Sequence, residues 1–165
     1  MKSQQILPIV KEWQERPLEE VYAVVFMDAI HYHVRSEGRI VKRAVYIALG
    51  IDMNGKKDVL GMYVGENESA KFWHDNWATL STYFKYPEAV RRLIYTTNAI
   101  EGFNRQLRKV TKSKTVFPSD DSLLKMLYLA TMDITKKWTG HRQDWGQIHS
   151  QLEIYFEERL AGRNL

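Results

Sequence analysis

The sequence predicts an α+β fold in which a three-stranded antiparallel meander is followed by a helical C-terminal half. Between Val21 and Val64 three β-branched and aromatic runs are separated by polar, glycine-containing turns. From Ala70 onward apolar residues recur at helical spacing instead. At 165 residues, 44% apolar and 27% charged, the chain is about one ordinary globular domain. Three parts are expected: a short N-terminal helix (1–20), the strand meander with the start of the next helix (21–72), and a helical part of the same domain (73–165).

Ser3 to Glu15 reads as an amphipathic helix, with Ile6, Ile9, Val10 and Trp13 on one face, Ser3 as N-cap and Pro17 as the stop. The first strand occupies Val21 to His33. Its run from Ala23 to Met27 is continuous enough to predict burial on both faces, with Asp28 where the strand leaves the core. Ser36 to Arg39 is a turn containing Gly38, and Ile40 to Asp52 a second strand. Asn54-Gly55 marks a tight hairpin into a third strand, Asp58 to Val64.

In the helical half, Phe72, Trp73, Trp77, Leu80, Tyr83 and Phe84 have the spacing of a buried aromatic stripe. After Pro87, Glu88 to Tyr95 is a short helix or turn. Thr96, Thr97 and Asn98 offer caps for a helix from Ala99 to about Val110, whose apolar face is Ile100, Phe103, Leu107 and Val110. Glu101, Asn104, Arg105 and Arg108 lie on its other face. Lys112 to Pro118 is a basic loop, and Ser119 caps a helix with Asp120 and Asp121 in its first turn and a buried face running from Leu124 to Trp138. After a break at Thr139 to His141, Trp145, Ile148, Leu152, Tyr155 and Arg159 define the last helix.

The chain has no cysteine, so disulfides and thiolate metal sites are excluded, and a metal would need carboxylate, imidazole or water ligands. The five histidines lack ligand spacing. No apolar run approaches membrane-spanning length and the N-terminus lacks the apolar core of a signal peptide, so a cytoplasmic protein with no membrane partner is expected.

Charge is concentrated. Between Tyr95 and Thr115, Arg105, Arg108, Lys109, Lys112 and Lys114 face a single acid, Glu101, and this segment equals the net charge of +4 of the whole chain. Such clustering is either a phosphate-binding face or solvated surface. Asp28 has two readings as well, a cap on a turn or a rigidly held metal ligand. Glu101 is either an i,i+4 surface partner of Arg105 or a second metal-binding carboxylate.

Phe26 to Arg35 (FMDAIHYHVR), Gly65 to Trp73 (GENESAKFW) and Arg91 to Lys114 (RRLIYTTNAIEGFNRQLRKVTKSK) resemble the mutator-type transposases of bacterial insertion sequences. Nearly the whole chain is covered, in family order. The resemblance implies a ribonuclease H-like fold in which two Asp and one Glu hold divalent Mg2+ or Mn2+ for DNA cleavage and strand transfer. Asp28 matches the first acid and Glu101 the last, and Arg105, Arg108, Lys109, Lys112 and Lys114 become candidate DNA contacts. The partner implied is insertion-sequence end DNA, with a second copy or a full-length transposase as a further partner.

The second acid has no match. Where the family continues into a helix, a fourth strand ending at that Asp and a Cys-x-x-His motif, Phe72-Trp73 here runs straight into His74-Asp75-Asn76-Trp77. The chain therefore reads as internally deleted, and as lacking most of the family's N-terminal DNA-binding region. Asp52, Asp58 and Asp75 are the nearby acids, but two flank a hairpin and the third belongs to the family's later region. The expectation is an incomplete metal site in an inactive remnant. The alternative is a non-catalytic modulator that binds DNA or a transposase.

Overall fold

The computed structural model describes residues 6–65 and 88–161. Chain order is α1 (Ile6–Gln14), β1 (Tyr22–Ser36), β2 (Arg39–Asp52), β3 (Lys57–Gly65), α2 (Glu88–Tyr95), α3 (Asn98–Thr111), α4 (Asp120–Thr135), α5 (Trp145–Tyr155) and α6 (Glu157–Leu160). The expected aromatic stripe from Phe72 to Phe84, Asp75, and the Ser3 cap lie outside the described residues.

The strands form the expected antiparallel meander in the order β1-β2-β3. Both turns rest on left-handed backbone. Glu37 (φ 49°) and Gly38 (φ 74°) make the two-residue connection between β1 and β2, a twist that suits a hairpin. At the second turn Gly55 (φ 77°) approaches Trp145 so closely that an added Cβ would lie 2.6 Å from the indole ring. The Trp145 indole N–H donates to Met53 O at 2.9 Å, fastening α5 to this hairpin.

β1 departs from expectation in two ways. It runs on to Ser36, so Asp28 stands mid-strand and not where the strand leaves the core. It is also buried on one face only: Phe26, Ile30, Tyr32 and Val34 point into the core, whereas Val25 and Met27 are 46% and 63% exposed. The physical reason is that the described helices cover only the Phe26 face of the sheet. β1 pairs with β2 on one side, and among the described residues its other side meets only Phe117, through a parallel bridge at Val34. There Phe117 N donates to His33 O and Arg35 N donates to Phe117 O, both at 2.8 Å.

The helices cover the face of the sheet that carries Phe26, Ile30, Val45, Ile47, Leu49 and Met62. α3 packs on β1 and α4, α4 on β3 and α1, and α2 on α5. Arg16, just after α1, donates to both Asp58 oxygens (3.0 and 3.1 Å) and to Val59 O, tying the N-terminal helix to β3. Ser119 caps α4 as expected, its Oγ accepting from Ser122 N at 3.1 Å. Two helix faces shift. Val110 is exposed, and the buried face of α3 is Ile100, Phe103, Asn104, Leu107 and Thr111, with two polar residues among apolar ones. The last helix breaks at Phe156, so Arg159 falls outside it, and Tyr155 and Arg159 are exposed.

Candidate functional site

The polar residues at core positions of α3 are where the candidate site begins. Asn104 is 2% exposed and sits one position beyond Phe103 and three before Leu107, so helical spacing turns it onto the sheet. Its Nδ2 donates to Asp28 Oδ2 at 2.6 Å. The other Asp28 oxygen, Oδ1, accepts the Ala29 amide at 2.8 Å. The amide must point its NH2 at the carboxylate, because the reverse orientation would set two acceptors together. Asn104 Oδ1 is thereby left buried without a partner. A neutral donor on an ionised acceptor makes a charge-assisted bond, worth about 1.5–3 kcal/mol.

Glu101 is not brought into this contact. It lies on an exposed part of α3 one turn before Asn104, and its Oε1 accepts from the Thr97 hydroxyl at 2.6 Å. That bond also replaces two expected features. The Thr97 side chain does not cap the helix, and the i,i+4 pair between Glu101 and Arg105 is not formed.

The two acids that would hold the metal implied by the resemblance are each bonded within the protein. Each oxygen of Asp28 already serves a donor, Glu101 is turned to Thr97, and among the described residues no three of His, Cys, Asp and Glu converge to hold an ion. Neither described substitute supplies the second acid. Asp52 accepts the Asn54 and Lys56 amides at 2.8 and 2.9 Å inside its turn, and Asp58 is held by Arg16 and the Tyr22 hydroxyl. Burial pushes that Tyr22 hydroxyl up, and the adjacent Asp58 carboxylate pushes it the same way.

The basic residues do lie together at the surface. Arg105, Arg108 and Lys109 project from α3, Lys112 and Lys114 from the turn after it, and all five are exposed. None forms an ion pair among the described residues. Lys114 stands 5.9 Å from the centre of the Phe117 ring, so the loop that bridges β1 also anchors one end of the basic face. Asn104 was the residue that sequence spacing missed. The signal available was the run Ile100, Phe103, Asn104, Leu107, Thr111, which keeps helical period only if the two polar residues count as inward.

Comparison with known proteins points one way. The family model described as Transposase, Mutator family, matches residues 2–81 and 74–141, two stretches that overlap over residues 74–81. A probable transposase for an ISRM3-like insertion sequence element of Sinorhizobium fredii is 26% identical over 257 residues, covering 94% of this chain and 64% of the relative. The transposase of element ISRM3 from Rhizobium meliloti is 26% identical over 256 residues with the same coverage. A shorter match, 47% identical over 64 residues, covers 39% of this chain and 16% of the transposase of element IS406 from Burkholderia multivorans. The chain thus spans less than two thirds of the length of the first two relatives. Those alignments are also longer than its 165 residues, so each relative carries internal sequence that this chain lacks.

Proposed function

The chain belongs to the Mutator family of transposases, and from that premise we propose that it is an internally deleted DNA-binding derivative that does not carry out strand transfer by itself. The observation that carries this reading is the engagement of Asp28. The inherited first acid is hydrogen-bonded to Asn104 and Ala29, while Glu101 is bonded to Thr97 one turn away. Two-metal phosphodiester chemistry needs carboxylates that converge on a pair of ions and clamp the attacking and leaving oxygens. Two acids without the third, each already bonded within the protein, make a poor cage for Mg2+ or Mn2+.

The fold reading is that β1, β2 and β3 are the first three strands of a ribonuclease H-like sheet. In support, the meander order places β1 at the edge, where the resemblance puts the missing fourth strand. The DNA partner is insertion-sequence end DNA. Arg105, Arg108, Lys109, Lys112 and Lys114 supply an exposed cationic face with no ion-paired acid among the described residues, and such a face binds phosphates by releasing counterions. Replacing Arg105, Arg108 and Lys109 with Gln is expected to weaken duplex binding across sequences and to lower the slope of log affinity against log salt by about 3. A slope unchanged by the triple substitution would remove DNA binding from this face.

The side of β1 away from β2 favours a second reading. Among the described residues only Phe117 meets it, so a modulator that pairs this edge with a full-length transposase has a template. Co-purification with such a transposase that survives loss of the basic residues would favour that role.

A further inference from the structure

A cleft of about 660 Å³ opens at the N-terminal end of α3, the opposite end of that helix from Lys112 and Lys114. Three separate parts of the chain bring four cations to it: Lys57 from the hairpin, Arg92 from α2, and Lys137 and Arg142 from the segment after α4. None of these belongs to the basic cluster of α3. Among the described residues no carboxylate lines the cleft. Asp144, two residues beyond Arg142, is held by the Arg142 guanidinium at 2.9 and 3.0 Å, and the same Arg142 reaches Thr96 Oγ1 at 3.3 Å. Arg142 is thus fixed in place, and Lys57, Arg92 and Lys137 form no ion pair among the described residues.

The wall also holds an aromatic face. Trp138 lines the cleft, with its ring edge-on to Phe103 (5.8 Å, 65°) and the Lys57 ammonium 4.7 Å from its centre. A cation parked over an indole is held by the ring's electron density and is readily replaced by another flat or cationic group. Asn98 and Ala99 place the first turn of α3 at the same opening, where the helix dipole favours negative charge.

We propose that this cleft binds a single phosphate-bearing nucleoside, with the phosphate on Arg92 and Lys137 and the base on Trp138 in place of Lys57. Volume supports one nucleotide rather than a duplex, because ligand clefts of roughly 300–1,000 Å³ enclose a small molecule. Cations alone would select any anion. The indole beside them adds stacking, which accepts any base. The two sources of such a group are a free mononucleotide and the 5′-phosphorylated end of a DNA strand. The inference goes beyond the transposase reading and does not depend on the state of Asp28.

The test is calorimetric titration of the full chain with three probes: inorganic phosphate, adenosine 5′-monophosphate, and a 5′-phosphorylated trinucleotide beside its 5′-hydroxyl counterpart. At least one nucleotide probe is expected to bind 10-fold or more tighter than inorganic phosphate, and Arg92→Gln with Lys137→Gln to weaken it 10-fold or more. Both residues are exposed, so the melting temperature serves as a fold control. Trp138→Leu is expected to abolish the preference over inorganic phosphate. If that variant melts early because of its Phe103 contact, Lys137→Glu carries the test alone. Equal binding of monophosphate and trinucleotide identifies the free nucleotide, and tighter trinucleotide binding that needs its 5′-phosphate identifies the strand end. Binding no tighter than inorganic phosphate, or unaffected by the substitutions, overturns the proposal.

Discussion

The Asn104 amide donates to the Asp28 carboxylate at 2.6 Å, joining the middle of α3 to the middle of β1. The bond ties the exposed Asp28 carboxylate of the sheet to a buried amide of the helix.

Asn104→Asp sets a carboxyl at a position that is 2% exposed against the exposed Asp28 carboxylate. Burial and the facing carboxylate raise the folded-state pKa of the introduced group above its unfolded value of about 3.9. Its protonated form is then compatible with the fold, so the variant approaches the parent below that value. Stability is lost as pH rises through the raised pKa. Denaturant unfolding is expected to show a deficit of about 2–4 kcal/mol at pH 7 that shrinks on acidification. A deficit independent of pH would mean that the Asp28 contact is not formed.

Gly55→Ala combines a φ of 77° with a Cβ that would overlap the buried Trp145 ring. The expected loss is about 2–4 kcal/mol, the sum of left-handed strain and overpacking. Near-ultraviolet dichroism of the tryptophans should change with it. A melting temperature equal to the parent's would contradict the close approach of hairpin and α5.

The Arg142 guanidinium holds the Asp144 carboxyl below its usual value of 3.8, mainly by hydrogen bonding. A depressed folded pKa means that the contribution is present above the unfolded value and is lost as pH falls below it. Parent and Asp144→Asn stabilities are therefore expected to differ at neutral pH and to converge as pH falls from about 3.8 through the lowered folded value. Because the pair is partly exposed, added salt should narrow the difference as well. A gap that stays constant down to low pH would contradict the pair.

Much of the frame was legible in sequence because its signals are local. Asn54-Gly55 and the turn at Gly38 require left-handed backbone, and the runs between them alternate or stay apolar, so the meander and its order follow from residue type. Ser119 followed by two acids marks a helix start for the same reason. What failed depends on neighbours. A continuous apolar run predicts a strand buried on both faces, yet Val25 and Met27 are exposed because burial needs a covering layer that residue type cannot supply. Polar residues usually face water, which puts Asn104 on the outer face, and only the position of β1 shows what it bonds. The Phe117 bridge to Val34 joins residues far apart in sequence, and no spacing rule reaches that far. The cleft around Arg92, Lys137 and Arg142 escaped for the same reason.

The claim that the chain keeps a DNA-binding face without a working metal site is tested most directly by one assay. Duplex carrying insertion-sequence ends is incubated with the full chain in Mg2+ and in Mn2+, and bound and broken strands are resolved from the same samples. The account predicts salt-sensitive binding with no nicked or joined product in either metal. Metal-dependent cleavage that Asp28→Ala abolishes would contradict it.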